Sequence, residues 1–72
     1  MNLCYVGKNL SNLRIKNKCS QTYVSNMLHI DRSIISKYER GSLYPNVQIL
    51  IKLATFYGVS IDYLLSDNDL VE

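Results

Sequence analysis

The stretch QTYVSNMLHIDRSIISKYER, Gln21 to Arg40, decides how this sequence folds. Val24 and Leu28 stand four apart in its first half, and Ile35 and Tyr38 stand three apart in its second, so each half has one apolar helical face. His29 and Ile30 leave only a short connection, because Asp31 is already a good cap for the next helix. Ser20 can cap the first helix through its hydroxyl, and Gly41 suits a left-handed end to the second. Two helices joined by a turn of about three residues must cross steeply, which projects the second one outward. Val24, Leu28, Ile30, Ile35 and Tyr38 supply the inward apolar set, and Ser25 is the small residue where the helices touch.

Upstream, Val6, Leu10, Leu13 and Asn17 recur at helical spacing, with Lys8, Arg14, Lys16 and Lys18 largely off that stripe. The pattern predicts a helix from Val6 to Lys18. Downstream, Ser42 to Pro45 reads as a loop, since Pro45 biases Tyr44 away from helix. Asn46 caps a fourth helix over Val47 to Tyr57, ended by Gly58. Ser60 caps a short fifth helix, with Asp62 in its first turn where a carboxylate suits the helix dipole. From about Ser66 the chain is expected to fray. The expectation is one all-α domain over residues 1–72, a bundle of five short helices without a sheet.

The 72 residues leave room for one domain, and 47% hydrophobic residues are too many for a disordered tail. A core this small typically supplies only ~3–5 kcal/mol, so oligomerisation or excellent packing would help. The net charge of +2 hides a division. Residues 1–52 hold all eight basic side chains with only Asp31 and Glu39 as acids, a net +6, while the last 20 residues carry −4. Such opposed halves suggest that the first part meets a polyanion.

Cys4 and Cys19 do not make a disulfide framework, and one histidine with two cysteines offers no metal-ligand spacing, so no metal or cofactor is expected. Both cysteines read as free thiols in a reducing cytosol, Cys19 as a small core filler. No charged stretch followed by an apolar run opens the chain, and runs such as Ile49-Leu50-Ile51 are far too short for a bilayer. A cytoplasmic location is the resulting expectation. The single histidine, the lack of paired carboxylates on the basic part and the lack of a glycine-rich phosphate loop argue against an enzyme.

A helical wheel of Arg32 to Arg40 puts Ile35, Tyr38 and Glu39 inward and leaves Ser33, Ser36, Lys37 and Arg40 on the other face, with Arg32 leading. Basic and hydroxyl side chains on one exposed face are what a reader of the DNA major groove needs. The start of the preceding helix, with Ser20, Gln21 and Thr22 beside its free amides, is a ready phosphate site.

The run from Ser20-Gln21 through Tyr38-Glu39-Arg40-Gly41, with Pro45 after it, resembles the phage repressor and Cro family of helix-turn-helix regulators. Leu13-Arg14 and the closing Val59-Ser60-Ile61-Asp62-Tyr63-Leu64-Leu65 extend that resemblance to residues 6–65. It implies a lambda-repressor-like fold and a transcriptional regulator of the XRE type, with a repressor as the leading reading. Because one monomer of this size covers only about one half-site of double-stranded DNA, a homodimer on a palindromic site is expected. The exposed face of the third helix makes Arg32, Ser33, Ser36 and Lys37 the candidates for base readout. Ser20, Gln21, Thr22 and Arg40 are candidates for phosphate contacts, and the resemblance adds that Gln21 meets the DNA backbone and that Ser42 and Tyr44 lie near its second strand. It further implies a partly buried ion pair between Arg14 and Glu39 that locks the third helix against the first.

The family usually has glycine where this chain has His29, so His29 is expected at positive φ, at a cost of roughly 1–2 kcal/mol. For the homodimer, Ile61, Leu64, Leu65 and Leu70 are the candidate surface. Tyr23 and Met27 either cover the edge of the core or meet a partner. No small-molecule ligand is evident. The alternative function is a protein-interaction module, such as an antitoxin or anti-repressor, built on the same fold.

Overall fold

A computed structural model describes residues 4–68. It has five helices: α1 (Cys4–Lys16), α2 (Gln21–Leu28), α3 (Arg32–Arg40), α4 (Val47–Tyr57) and α5 (Ile61–Leu65). Among the described residues there is no strand. Ser20, Asp31, Asn46 and Ser60 cap α2 to α5, each accepting a backbone N–H from the first turn through its side-chain oxygen. Gly41 and Gly58 close α3 and α4 at φ 76° and 71°, conformations that glycine takes without a Cβ penalty.

All five helices feed one core. Val6, Leu10 and Leu13 of α1, Val24 and Leu28 of α2, and Ile35 and Tyr38 of α3 are buried with Leu50, Leu53, Ala54 and Leu64. Cys19, half-buried, packs at its margin as a free thiol. The side chain of Cys4 lies outside the description.

Helix α1 departs from the sequence expectation at both ends. It begins at Cys4 and stops at Lys16, because Lys18 turns left-handed at φ 57°. The amide of Lys18 then bonds the Ile15 carbonyl and that of Cys19 the Arg14 carbonyl, a closed C-terminal cap formed without glycine. Asn17, expected inward, is exposed beyond the helix, although its amide still donates to the Leu13 carbonyl.

The polar residue on the inner stripe is instead Asn9, only 3% exposed. Its Nδ2 lies 3.2, 2.9 and 2.7 Å from the carbonyl oxygens of Tyr63, Leu64 and Ser66. The last carbonyls of a helix have no partner within it, so this amide caps α5 from another helix. Ser66 and Asn68 also bond back to α5, at the Asp62 and Tyr63 carbonyls. Ser66 and Asn68 are thus tied to α5, and the rest of the tail expected to fray from about Ser66 lies outside the described residues.

Leu64 requires a correction. It is 0% exposed and belongs to the core, so it cannot form a dimer surface. Ile61 and Leu65 pack against the same core but stay half-exposed, and Leu70 lies outside the described residues.

Candidate nucleic-acid interface

The turn between α2 and α3 fixes how α3 is presented. His29 stands at φ 56°, in the left-handed region, and its neighbour's amide, Ile30 N–H, donates to the Ser25 carbonyl at 3.1 Å. The Ser25 hydroxyl donates in turn to the Ile30 carbonyl, so the small residue of α2 ties the turn from both sides. Lys52 of α4 donates its Nζ to the Leu28 carbonyl at 2.9 Å. That last bond leaves no mark in the sequence, since nothing local connects α4 with the turn.

With the turn held, Ile35 and Tyr38 face the core while Arg32, Ser33, Lys37 and Arg40 are exposed and Ser36 is half-buried. Burial raises the Tyr38 phenol above its ordinary value. The exposed set offers guanidinium, ammonium and hydroxyl groups along one side of α3.

Behind that face lies a chain of polar contacts joining α1, α2 and α3. Arg14 Nε donates to Glu39 Oε2 at 2.8 Å and its Nη2 to Oε1 at 3.0 Å, with side-chain exposures of 17% and 7%. Two parallel bonds between guanidinium and carboxylate give direction as well as energy. Arg14 Nη1 also donates to the Cys19 carbonyl, reaching the start of α2. The bond to Glu39 raises the Arg14 guanidinium above its ordinary value, against a lowering from burial. Tyr57 beside them is held well above the usual phenol range, first by burial and then by the Glu39 charge.

Gln21 continues the chain outward. Its Nε2 donates to Glu39 Oε1 at 3.1 Å, and its Oε1 accepts from Arg32 Nη1 at 3.4 Å. Gln21 is thus joined to a base-readout candidate as well as standing at a phosphate site. Ser20 and Thr22 beside it are exposed, with the Ser20 oxygen engaged by the Tyr23 amide. At the other end of α3, Ser42 donates its hydroxyl to the Lys37 carbonyl, and Tyr44 is exposed on the loop. The phosphate candidates therefore form two groups, Ser20, Gln21 and Thr22 at the start of α2 and Arg40, Ser42 and Tyr44 at and just beyond the end of α3.

Away from α3, Tyr23 and Met27 are 49% and 51% exposed on the outer face of α2. Tyr23 lies against Phe56 of α4 at 6.5 Å between ring centroids, so these side chains border the core without being enclosed by it. Among the described residues no group of His, Cys, Asp and Glu could hold a metal ion, and no helix is long and apolar enough to cross a membrane.

A family model described as helix-turn-helix matches residues 10–64. The HTH-type transcriptional activator BcrR of Enterococcus faecalis is 37% identical over 62 residues, 86% of this chain and 30% of that protein. The cryptic phage CTXphi transcriptional repressor RstR of Vibrio cholerae is 33% identical over 83% of this chain and 54% of its own length. The HTH-type transcriptional regulator ImmR of Bacillus subtilis (strain 168) is 36% identical over 89% of this chain and 50% of its own. The chain thus spans between 30% and 54% of these relatives. Among solved structures, the S. venezulae BldD DNA-binding domain superposes with a TM-score of 0.75 at 31% identity, covering 86% of this chain and 93% of that one. The matched proteins are regulators rather than enzymes.

Proposed function

Because the chain belongs to the helix-turn-helix family of DNA-binding transcriptional regulators, we propose that it binds one operator sequence specifically, with α3 in the major groove of the duplex. The observation that carries this reading is the two-sided α3: Ile35, Tyr38 and Glu39 hold it to the body while Arg32, Ser33, Lys37 and Arg40 face outward. Arg32, Ser33, Ser36 and Lys37 read bases, and Ser20, Gln21, Thr22, Arg40, Ser42 and Tyr44 hold phosphates on either side. Phosphate contacts fix register, and only base edges carry sequence.

We infer that the regulator acts as a repressor, since occupying a promoter is sufficient to block it; among the named relatives, RstR is a repressor and BcrR an activator. One copy of α3 covers a single half-site, so a homodimer on a palindrome follows, its two α3 helices about 34 Å apart. Ile61 and Leu65, one helical turn apart on α5 and still half-exposed, supply that surface, with exposed Tyr63 beside them. The location is the cytoplasm, where the DNA is.

Selection from random-sequence duplexes, followed by footprinting, tests this. An enriched motif with two-fold symmetry, protected over about two turns of DNA, is the expected result. Failure to enrich any sequence removes the proposal and favours the protein-interaction alternative, for which the exposed Tyr23 and Met27 face is the supporting observation.

A further inference from the structure

Ser33 is an ambivalent reader by composition, because a serine hydroxyl both donates and accepts. Its surroundings remove the ambivalence. The Ser33 Oγ lies 3.0 Å from Asp31 Oδ1, the same oxygen that takes the Ser33 amide at 2.9 Å. A carboxylate has no proton to give, so the hydroxyl proton is committed to Asp31 and only lone pairs remain on Ser33. Both bonds from Ser33 hold the Asp31 carboxyl below its ordinary value, with Arg32 and Lys37 adding to the effect, so the carboxylate stays ionised. Turning the hydroxyl toward a base acceptor would exchange a charge-assisted bond for a weaker neutral one.

We propose that Asp31 and Ser33 form an acceptor-only pair that selects a base presenting an exocyclic amino group in the major groove, adenine N6 or cytosine N4. This rests on the reading of α3 as the helix that enters the groove. Guanine offers N7 and O6 there and thymine O4, all acceptors, which face lone pairs and a negative charge at this position. Arg32 and Lys37, on the same exposed face, have only protons to offer and favour guanine. The start of α3 therefore carries a fixed polarity: donors at Arg32 and Lys37, acceptors at Asp31 and Ser33.

The test starts from the site that wild-type protein selects from random duplexes. Ser33→Ala identifies its base pair as the one whose preference relaxes. That position is expected to hold adenine or cytosine. Replacing adenine by purine, or cytosine by 2-pyrimidinone, removes only the amino group and distinguishes the two bases; it should weaken wild-type binding about 5- to 100-fold. Asp31→Gly keeps a tolerated helix cap and removes the oxygen that takes the hydroxyl proton, so guanine or thymine becomes acceptable at that pair. Guanine or thymine there in the wild-type site, no effect of Ser33→Ala at any position, no loss on amine removal, or an unchanged preference in a folded Asp31→Gly protein would each overturn the proposal. The first of these would leave specific DNA binding intact, whereas a wild type that enriches no sequence would sink both readings.

Discussion

Arg14 and Glu39 are 25 residues apart in sequence and meet in a two-bond fork, 2.8 and 3.0 Å long, between α1 and α3. Glu39 is the more enclosed partner and takes a third bond from Gln21. Losing one partner of such a pair strands the other in a site built for its opposite charge. Glu39→Ala is expected to cost on the order of 3 kcal/mol, near the low end for broken buried pairs. Changing both residues to apolar ones should cost less than the two single changes together. Thermal melts of the four proteins decide it, and a Glu39→Ala melting point within a degree or two of wild type would show that the pair holds nothing.

His29 and Lys18 are the two non-glycine residues at positive φ among those described, 56° and 57°. Glycine relieves the crowding of Cβ there, but it also gives the unfolded chain more freedom. His29→Gly should therefore raise stability by up to about 1 kcal/mol, with unfolding still cooperative. Lys18→Gly should act in the same direction and add to it, because the two turns are separate. A clear loss of stability in His29→Gly would mean that the exposed imidazole contributes more than the backbone strain costs.

Asn9 holds the end of α5 through three carbonyl oxygens. Asn9→Ala takes this donor from the Leu64 and Ser66 carbonyls, while the Tyr63 carbonyl keeps the Ser66 amide and Asn68 Nδ2, at a cost of about 1–3 kcal/mol. The loss should be local as well as global. A five-residue helix is too short to persist alone, so hydrogen exchange at the Leu64 and Ser66 amides should quicken more than in α2 or α3. Uniform quickening across the molecule would argue that Asn9 acts only as core volume.

How much of this was legible follows from how local each cause is. The caps and stops of α2, α3 and α4 were readable because Ser20, Asp31, Asn46, Gly41 and Gly58 act within one turn of themselves. Positive φ at His29 was readable from the tightness of the turn and the family resemblance together. Lys18 was not, since no glycine marked it. Leu64 was assigned to the surface because five residues show too little periodicity to separate an inner face from an outer one. Gly7 carried no signal at all: a Cβ there would lie 2.5 Å from the Tyr38 carbonyl oxygen and 2.9 Å from that of Glu39, an approach of α1 to α3 that exists only after folding. Asn9 did leave a trace, a polar residue in phase with Val6, Leu10 and Leu13, although its partners lie 54 to 57 residues away. On α3 the exposed face was legible from the wheel. The commitment of the Ser33 proton and the tie between Arg32 and Gln21 were not, because both depend on rotamers.

The two classes of DNA contact must fail differently. Arg32 and Lys37 stand exposed on α3, and each can donate to guanine O6 and N7. Arg32→Ala or Lys37→Ala should cost about 1–3 kcal/mol on the selected site and relax preference at one base pair per half-site. Arg40, at the end of α3, is a phosphate contact on the present reading. Arg40→Ala should weaken binding to every sequence alike and flatten the salt dependence by about one unit per half-site. Gln21 separates a mixed case, because its amide touches Arg32 while it opens α2, the proposed phosphate site. Gln21→Ala should lower affinity for all duplexes and, in addition, loosen the base pair that Arg32 reads. Titrations of the four variants against selected and scrambled duplexes across salt resolve these patterns. If Arg32→Ala and Lys37→Ala weaken selected and scrambled DNA equally, α3 attracts DNA without reading it, and sequence-specific regulation loses its main support.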